Sequence, residues 1–245
     1  MLRHEFYIEF EGEKVPAKVY EEPRKNVRFG FGKTGVHLRL PLGMPPKEKK
    51  RFVEDFKVWV CNKLSERADL RRTFERKTYH DGQELQVGPK TYRLHLRRSQ
   101  NRTHKGRFSP GGDIYLWLSE VDSEAERQKA LRHLLSRLIA RDQLPRIERR
   151  VQELNERHFR QPIRGVKLKY LKSRWGSCSG KGNINLSTRL LFAPAEVLDY
   201  VIIHELAHLI EMNHSPRFWK LVEQAMPDYR EKERWLKENA ADCDW

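Results

Sequence analysis

The stretch from Phe192 to His214 constrains this chain most: it is apolar on nearly every side of a helix, yet two histidines and a glutamate stand in its middle. Pro194 suits a first helical position, and Glu196 suits the positive end of the helix dipole. Val197, Leu198, Val201, Ile202, Leu206, Leu209 and Ile210 leave no polar face, so the spacing predicts a buried helix over 194–212. Burying His204, Glu205 and His208 is costly unless something pairs with them. His204 and His208 lie one turn apart and project from one face, so both imidazoles can converge on a single Zn2+. Glu205 follows His204 directly. Its carboxylate can stand beside such an ion without ligating it, accept a proton from water and pass it to a leaving amine.

Two protein ligands leave a catalytic zinc short of the usual three. His214 is the favoured third. Asn213 before it tolerates a left-handed conformation that ends a helix, and Ser215-Pro216 reads as the cap and first residue of the next one. Glu211, Glu223, Glu231 and Glu233 are competing third ligands. The alternative without a metal is a pair of satisfied core histidines.

The rest of the chain predicts an α+β fold: a zincin-like catalytic part with an active-site helix and a short sheet, preceded by a β-rich N-terminal region. Phe6-Ile8-Phe10, Val15-Ala17-Val19, Val27-Phe29-Phe31 and Val36-Leu38-Leu40 alternate with the period of half-buried strands. Pro45-Pro46 opens a helix marked by Phe52, Val53, Phe56, Trp59, Val60 and Leu64. Further strands are expected near Glu84–Val87, Thr91–Arg97 and Asp113–Leu118. A helix is expected from Glu124 to about Phe159, with Pro145 ending or kinking it. Gly165–Lys172 and Asn183–Leu186 read as strands, and 216–225 and 228–240 as helices. This organisation divides the chain into a basic N-terminal region, 1–120, and a catalytic domain, 121–245.

Composition adds the class. With 245 residues the chain can bury a core without covalent staples, and six Trp and eleven Phe argue against disorder. Cys61, Cys178 and Cys243 form no CxxC pair, so neither a disulfide framework nor a thiolate zinc site is indicated. The N-terminus has no apolar stretch of the signal-peptide kind, and the run Val201–Ile210 is too short and polar to cross a bilayer. These features lead to the expectation of a cytoplasmic chain with no membrane partner. The net charge of +15 is uneven: residues 196–245 carry 6 Lys/Arg against 11 Asp/Glu, and residues 1–195 carry 43 against 23. Such a basic portion is either a solvated surface or a site for a polyanion, with nucleic acid as the candidate partner. His95, His104, Arg97, Arg98, Arg102, Lys105 and Arg107 form its densest stretch, read as a solvated loop able to meet phosphates.

Lys172-Ser173-Arg174-Trp175-Gly176-Ser177-Cys178-Ser179, then Gly182-Asn183-Ile184, Ala193-Pro194, Tyr200-Val201, His204-Glu205-Leu206-Ala207-His208, Asn213-His214-Ser215 and Phe218-Trp219 resemble the YgjP-like metallopeptidase family over about residues 165–235. The resemblance implies one zinc per chain held by His204, His208 and His214, a catalytic Glu205, a peptide or protein substrate, and kinship with SprT-like zincins. Ser187 departs from the family's usual asparagine. Glu211 stands where the metzincin pattern has glycine, so a metzincin turn is not expected.

Other residues carry weaker readings. The segment Arg174–Cys178 is either an edge that holds a substrate main chain or a packed strand in which Gly176 admits a close helix. Cys178 reads as a small buried side chain, and Phe218, Trp219, Leu221, Val222 and Met226 as the apolar face that packs the last helices. Tyr200 or Tyr229 could donate to an oxyanion. The rival to a peptidase is a nucleic-acid-associated binding protein with a structural or vestigial zinc site.

Overall fold

The computed structural model describes residues 2–32, 35–67, 70–71, 77–109 and 111–245, and the chain divides into two compact units, Met1–Arg76 and Lys77–Trp245. The first unit holds β1 (Leu2–Phe10), β2 (Glu13–Glu22), β3 (Arg28–Gly32), β4 (Gly35–Pro41) and α1 (Pro46–Glu66). Its sheet order is β1-β2-β4-β3, with β2 and β4 parallel and the outer pairs antiparallel. Positive φ at Glu11 (48°) and Gly12 (82°) closes the β1–β2 hairpin, the two-residue turn whose twist matches its strands. Alternate residues Val15, Ala17, Val19 and Val36, Leu38, Leu40 point inward against Phe56, Val60 and Leu64 of α1.

The second unit contains β5 (Glu84–Val87), β6 (Lys90–Ser99), β7 (Lys105–Phe108), β8 (Ile114–Ser119), α2 (Glu124–His158), β9 (Gly165–Lys169), β10 (Gly176–Cys178), β11 (Asn183–Ser187), a short 3-10 turn (Thr188–Phe192), α3 (Ala195–Ala207), α4 (Pro216–Ala225) and α5 (Tyr229–Glu238). Two small mixed sheets, β5-β6-β8-β7 and β10-β11-β9, flank α2. The fold is α+β. Among the described residues, no helix is long and apolar enough to cross a membrane.

Strands β5–β8 belong to the second unit, so its edge falls at Arg76 and Lys77 instead of near residue 120. The physical reason is a shared core: Val87, Tyr92, Leu94, Ile114 and Leu116 are buried together with Leu131, Leu135 and Ile139 of α2. That core also explains the behaviour of Pro145. The helix runs through it from Glu124 to His158, since Ile147, Val151 and Leu154 beyond the proline are buried. Their burial at about 1.5–3 kcal/mol each outweighs the roughly 3 kcal/mol cost of an interior proline. A reciprocal cap starts the helix, with Ser123 Oγ accepting from Glu126 N–H and the Glu126 carboxylate accepting from Ser123 N–H.

Residues 105–108, expected as part of a loop, form β7. Gly106 is pressed on Leu116 and Leu138, so a methyl there would sit 2.7 Å and 2.8 Å from their side chains. Lys105 and Arg107 face solvent.

Candidate metal centre

Helix α3 is buried on almost every side, with Val197, Leu198, Val201, Ile202, Ile203 and Leu206 at 5% exposure or less. It ends earlier than the apolar pattern suggests, at Ala207, with His208 as its cap. Leu209 N–H bonds to Leu206 O, and Ile210 N–H to Ala207 O, so the chain tightens into a 3-10 turn. The left-handed break expected at Asn213 does not occur: among the described residues only Glu11 and Arg160 have positive φ besides glycines. Asn213 instead turns the chain with its side chain, Oδ1 accepting Ser215 N–H at 3.1 Å. Ser215 then caps α4 by accepting Phe218 N–H, and Pro216 is the first residue, as the sequence predicts.

This turn brings His214 back to the helix. His204, His208 and His214 present ring nitrogens that all lie within 4.8 Å of one another. Their ring centroids are 4.8–5.0 Å apart. His214 Nε2 and His204 Nε2 are 3.0 Å apart. Two nitrogens on one tetrahedral zinc would be separated by roughly 3.3 Å. The Glu211 carbonyl accepts from His208 Nδ1 at 3.0 Å, which fixes the tautomer and leaves Nε2 as a bare lone pair. Glu211 thus contributes its main chain, and its carboxylate lies 3.9 Å from Arg217. Among the described residues, the three histidines are the group able to hold a metal; Glu223, Glu231 and Glu233 do not join it.

Aromatic packing holds the rings. Phe218, fully buried, contacts His204, His208 and His214 at centroid distances of 4.9, 4.5 and 4.8 Å. Trp219 stacks on His214 at 5.7 Å and on Tyr229 at 5.4 Å. Burial, followed by the neighbouring His208 and His214, pushes His204 down to about 3, so its imidazole is neutral. Burial lowers His208 as well. Neutral imidazoles are the ligating form.

Glu205 is 5% exposed, and its Oε2 is buried without a hydrogen-bond partner. Burial pushes its carboxyl up to about 8, opposed by the charge of Arg174. The side chain occupies the space left by Gly176 at the start of β10, where an added Cβ would lie 2.4 Å from Oε1 and 2.7 Å from Cγ. Gly176 therefore admits a carboxylate and not merely a close helix, a role that the sequence alone did not reveal; its only signal was a glycine inside a strand next to the histidine helix. Among the described strands, β10 is an edge, paired antiparallel with β11 alone. Trp175 just before it lies under the Arg189 guanidinium at 4.3 Å. Ser187, where asparagine was expected, donates from Oγ to Leu171 O and accepts Arg189 N–H.

Cys178 is half-buried, its thiol pushed up to about 11 by burial and then by Glu205. Tyr200 is buried against His204 and Tyr229. The Tyr229 hydroxyl accepts from Arg230 Nε at 3.2 Å.

The donor set fits a divalent metal. Three imidazoles converge, one is oriented through its second nitrogen, and a buried carboxylate oxygen next to His204 lacks a partner. Among solved structures, the chain is similar to the metallopeptidase zymogen of Pyrococcus abyssi abylysin, with 30% identity over 37% of this chain and 92% of that one, at a TM-score of 0.34. It is similar also to the zymogen of Methanocaldococcus jannaschii jannalysin, with 23% identity over 38% and 96%, at 0.35. No curated protein matches the chain. A family model described as the YgjP-like metallopeptidase domain matches residues 25–239, most of the chain and parts of both units. The chain belongs to the YgjP-like metallopeptidase family.

Proposed function

We propose that the chain is a zinc-dependent peptidase in which His204, His208 and His214 hold one zinc ion and Glu205 is the general base. The observation that carries this reading is the pairing of three convergent imidazoles with a buried, unpartnered carboxylate on the same helix. The family supplies the reaction class, hydrolysis of peptide bonds in a protein or peptide. Zinc, when bound, supplies Lewis acidity that makes water acidic near neutral pH and polarises a carbonyl.

The chain's own groups do the remaining work. Glu205 accepts the proton of the attacking water at a carboxylate oxygen and returns it to the nitrogen of the departing amine. A carboxyl held above its usual range by burial suits both transfers, for the base must also become an acid. The Glu211 carbonyl fixes the ring of His208, and Phe218 packs against all three rings. An extended substrate has an edge to pair with in β10, whose Gly176 lies against Glu205.

Glu205→Gln tests the assignment. The variant should bind zinc at the wild-type stoichiometry and melt at a similar temperature, while peptide hydrolysis falls by about 10²- to 10⁴-fold. Full activity in a folded, zinc-loaded Glu205→Gln protein removes Glu205 from the role.

A further inference from the structure

The sheet β5-β6-β8-β7 packs one face against α2, and its other face carries part-exposed side chains. Alternation along the strands sends Leu94, Ile114 and Leu116 inward and leaves His95, Tyr115 and Trp117 on the outer face, all part-exposed. Register places His95 beside Tyr115 and Lys105 beside Trp117. The three rings form a continuous stack: His95 and Tyr115 lie 4.5 Å apart at 14°, and Tyr115 and Trp117 lie 6.2 Å apart at 25°. Arg107 lies over Trp117 at 5.3 Å.

Around this stack the charge is one-sided. Residues 90–107 contain seven Lys/Arg and no Asp/Glu. Five carboxylates reach this stretch from elsewhere: Glu84 pairs with Arg93, Asp81 with Arg97 and Asp142 with Lys90, while Asp122 stands 2.8 Å from His104 and Asp113 3.5 Å from His95. Among the described residues, Lys105 and Arg107 have no carboxylate partner. They border an open trough of about 520 Å³ that Ser99, Asn101, Gly106 and Trp117 complete.

From this juxtaposition of a part-exposed aromatic stack and unpaired cations on one sheet face, we propose that β6, β7 and β8 form a binding site for single-stranded nucleic acid. Successive bases stack on flat rings, which every base can do, while cations at the ring edges take the phosphates. A duplex would hide its base faces from the same rings. The site lies outside the metal centre and does not depend on the peptidase reading.

The test uses the full chain with fluorescein-labelled oligothymidylate and oligouridylate of about 12 nucleotides, followed by anisotropy between about 50 and 200 mM salt. Binding of either strand that weakens with salt is expected, and the tighter of the two assigns DNA or RNA as the source. Trp117→Ala should weaken binding about 5- to 150-fold, and Trp117→Phe, which keeps a stacking ring and the fold, by no more than about fivefold. Lys105→Ala and Arg107→Ala should each reduce the salt slope by about one. The proposal is overturned by absence of binding to both strands, by a duplex of equal length binding as tightly, by polyglutamate competing as well as the oligonucleotide, or by a folded Trp117→Ala protein that binds like wild type.

Discussion

Gly176→Ala isolates the placement of Glu205 from its chemistry. The new methyl would sit 2.4 Å from Glu205 Oε1, 2.7 Å from Cγ and 2.8 Å from Cδ, about 1 Å short of ordinary contact with the carboxylate oxygen. Gly176 has an ordinary strand φ, so alanine strains no backbone there, and the clash falls on the side chain opposite. Glu205 is 5% exposed and cannot swing freely away, so its carboxylate must shift by about 1 Å. A displacement of that size in a positioned catalytic group costs about 100-fold in rate, or about 2.7 kcal/mol of barrier. The assay is cleavage of a quenched-fluorescent peptide by zinc-loaded protein, with zinc content and melting temperature measured on the same sample. Activity should fall about 100-fold with zinc retained, because the three atoms nearest the new methyl all belong to Glu205. An active Gly176→Ala protein, or one that loses zinc before activity, refutes this placement.

Further tests address other parts of the account. His214→Ala should weaken zinc binding, measured by chelator competition, by more than the roughly 10- to 100-fold typical of losing an outer-shell partner. Cys178 should alkylate at pH 7 about 100-fold more slowly in the folded than in the unfolded protein, followed by mass spectrometry of its peptide. Burial raises its thiol to about 11, so less thiolate exists at neutral pH, and the rate should rise about tenfold per pH unit toward that value. Pro145 is exposed inside a continuous helix, so Pro145→Ala restores a backbone bond without disturbing the core and should raise stability by roughly 1–3 kcal/mol in urea melts. Asn155, buried, brackets Gln161 by donating to its carbonyl at 2.8 Å and accepting its N–H at 3.1 Å, so Asn155→Ala should cost about 1–3 kcal/mol in the same melts.

Much of this arrangement is legible in the chain before folding, because two periodicities carry it. Alternation at Val15-Ala17-Val19 and Val36-Leu38-Leu40 marks strands, and the one-turn interval between His204 and His208 marks a shared face. The histidine six residues on follows from what a metal needs, not from any pattern of its own. Four features escape such reading for separable reasons. Strand β7 hides because its inward residue is Gly106, which supplies no apolar signal between Lys105 and Arg107. The true end of α3 hides because Leu209 and Ile210 continue the apolar pattern, while a hydrogen bond from the His208 ring to the Glu211 main chain stabilises the turn. The unit boundary hides because the change in charge along the chain does not report which strands share a core with α2; Leu94 and Ile114 do, and they lie before residue 120. Gly176 is a fourth case: the partner that requires its missing side chain is 29 residues away in sequence, a separation no local pattern conveys.

The zinc absorption-edge spectrum of the loaded protein probes the centre most directly. Three imidazole nitrogens are expected at about 2.0–2.1 Å, with an oxygen completing the shell and no sulfur. A sulfur at about 2.3 Å, or a shell in which fewer than three imidazoles scatter, contradicts the assignment of His204, His208 and His214.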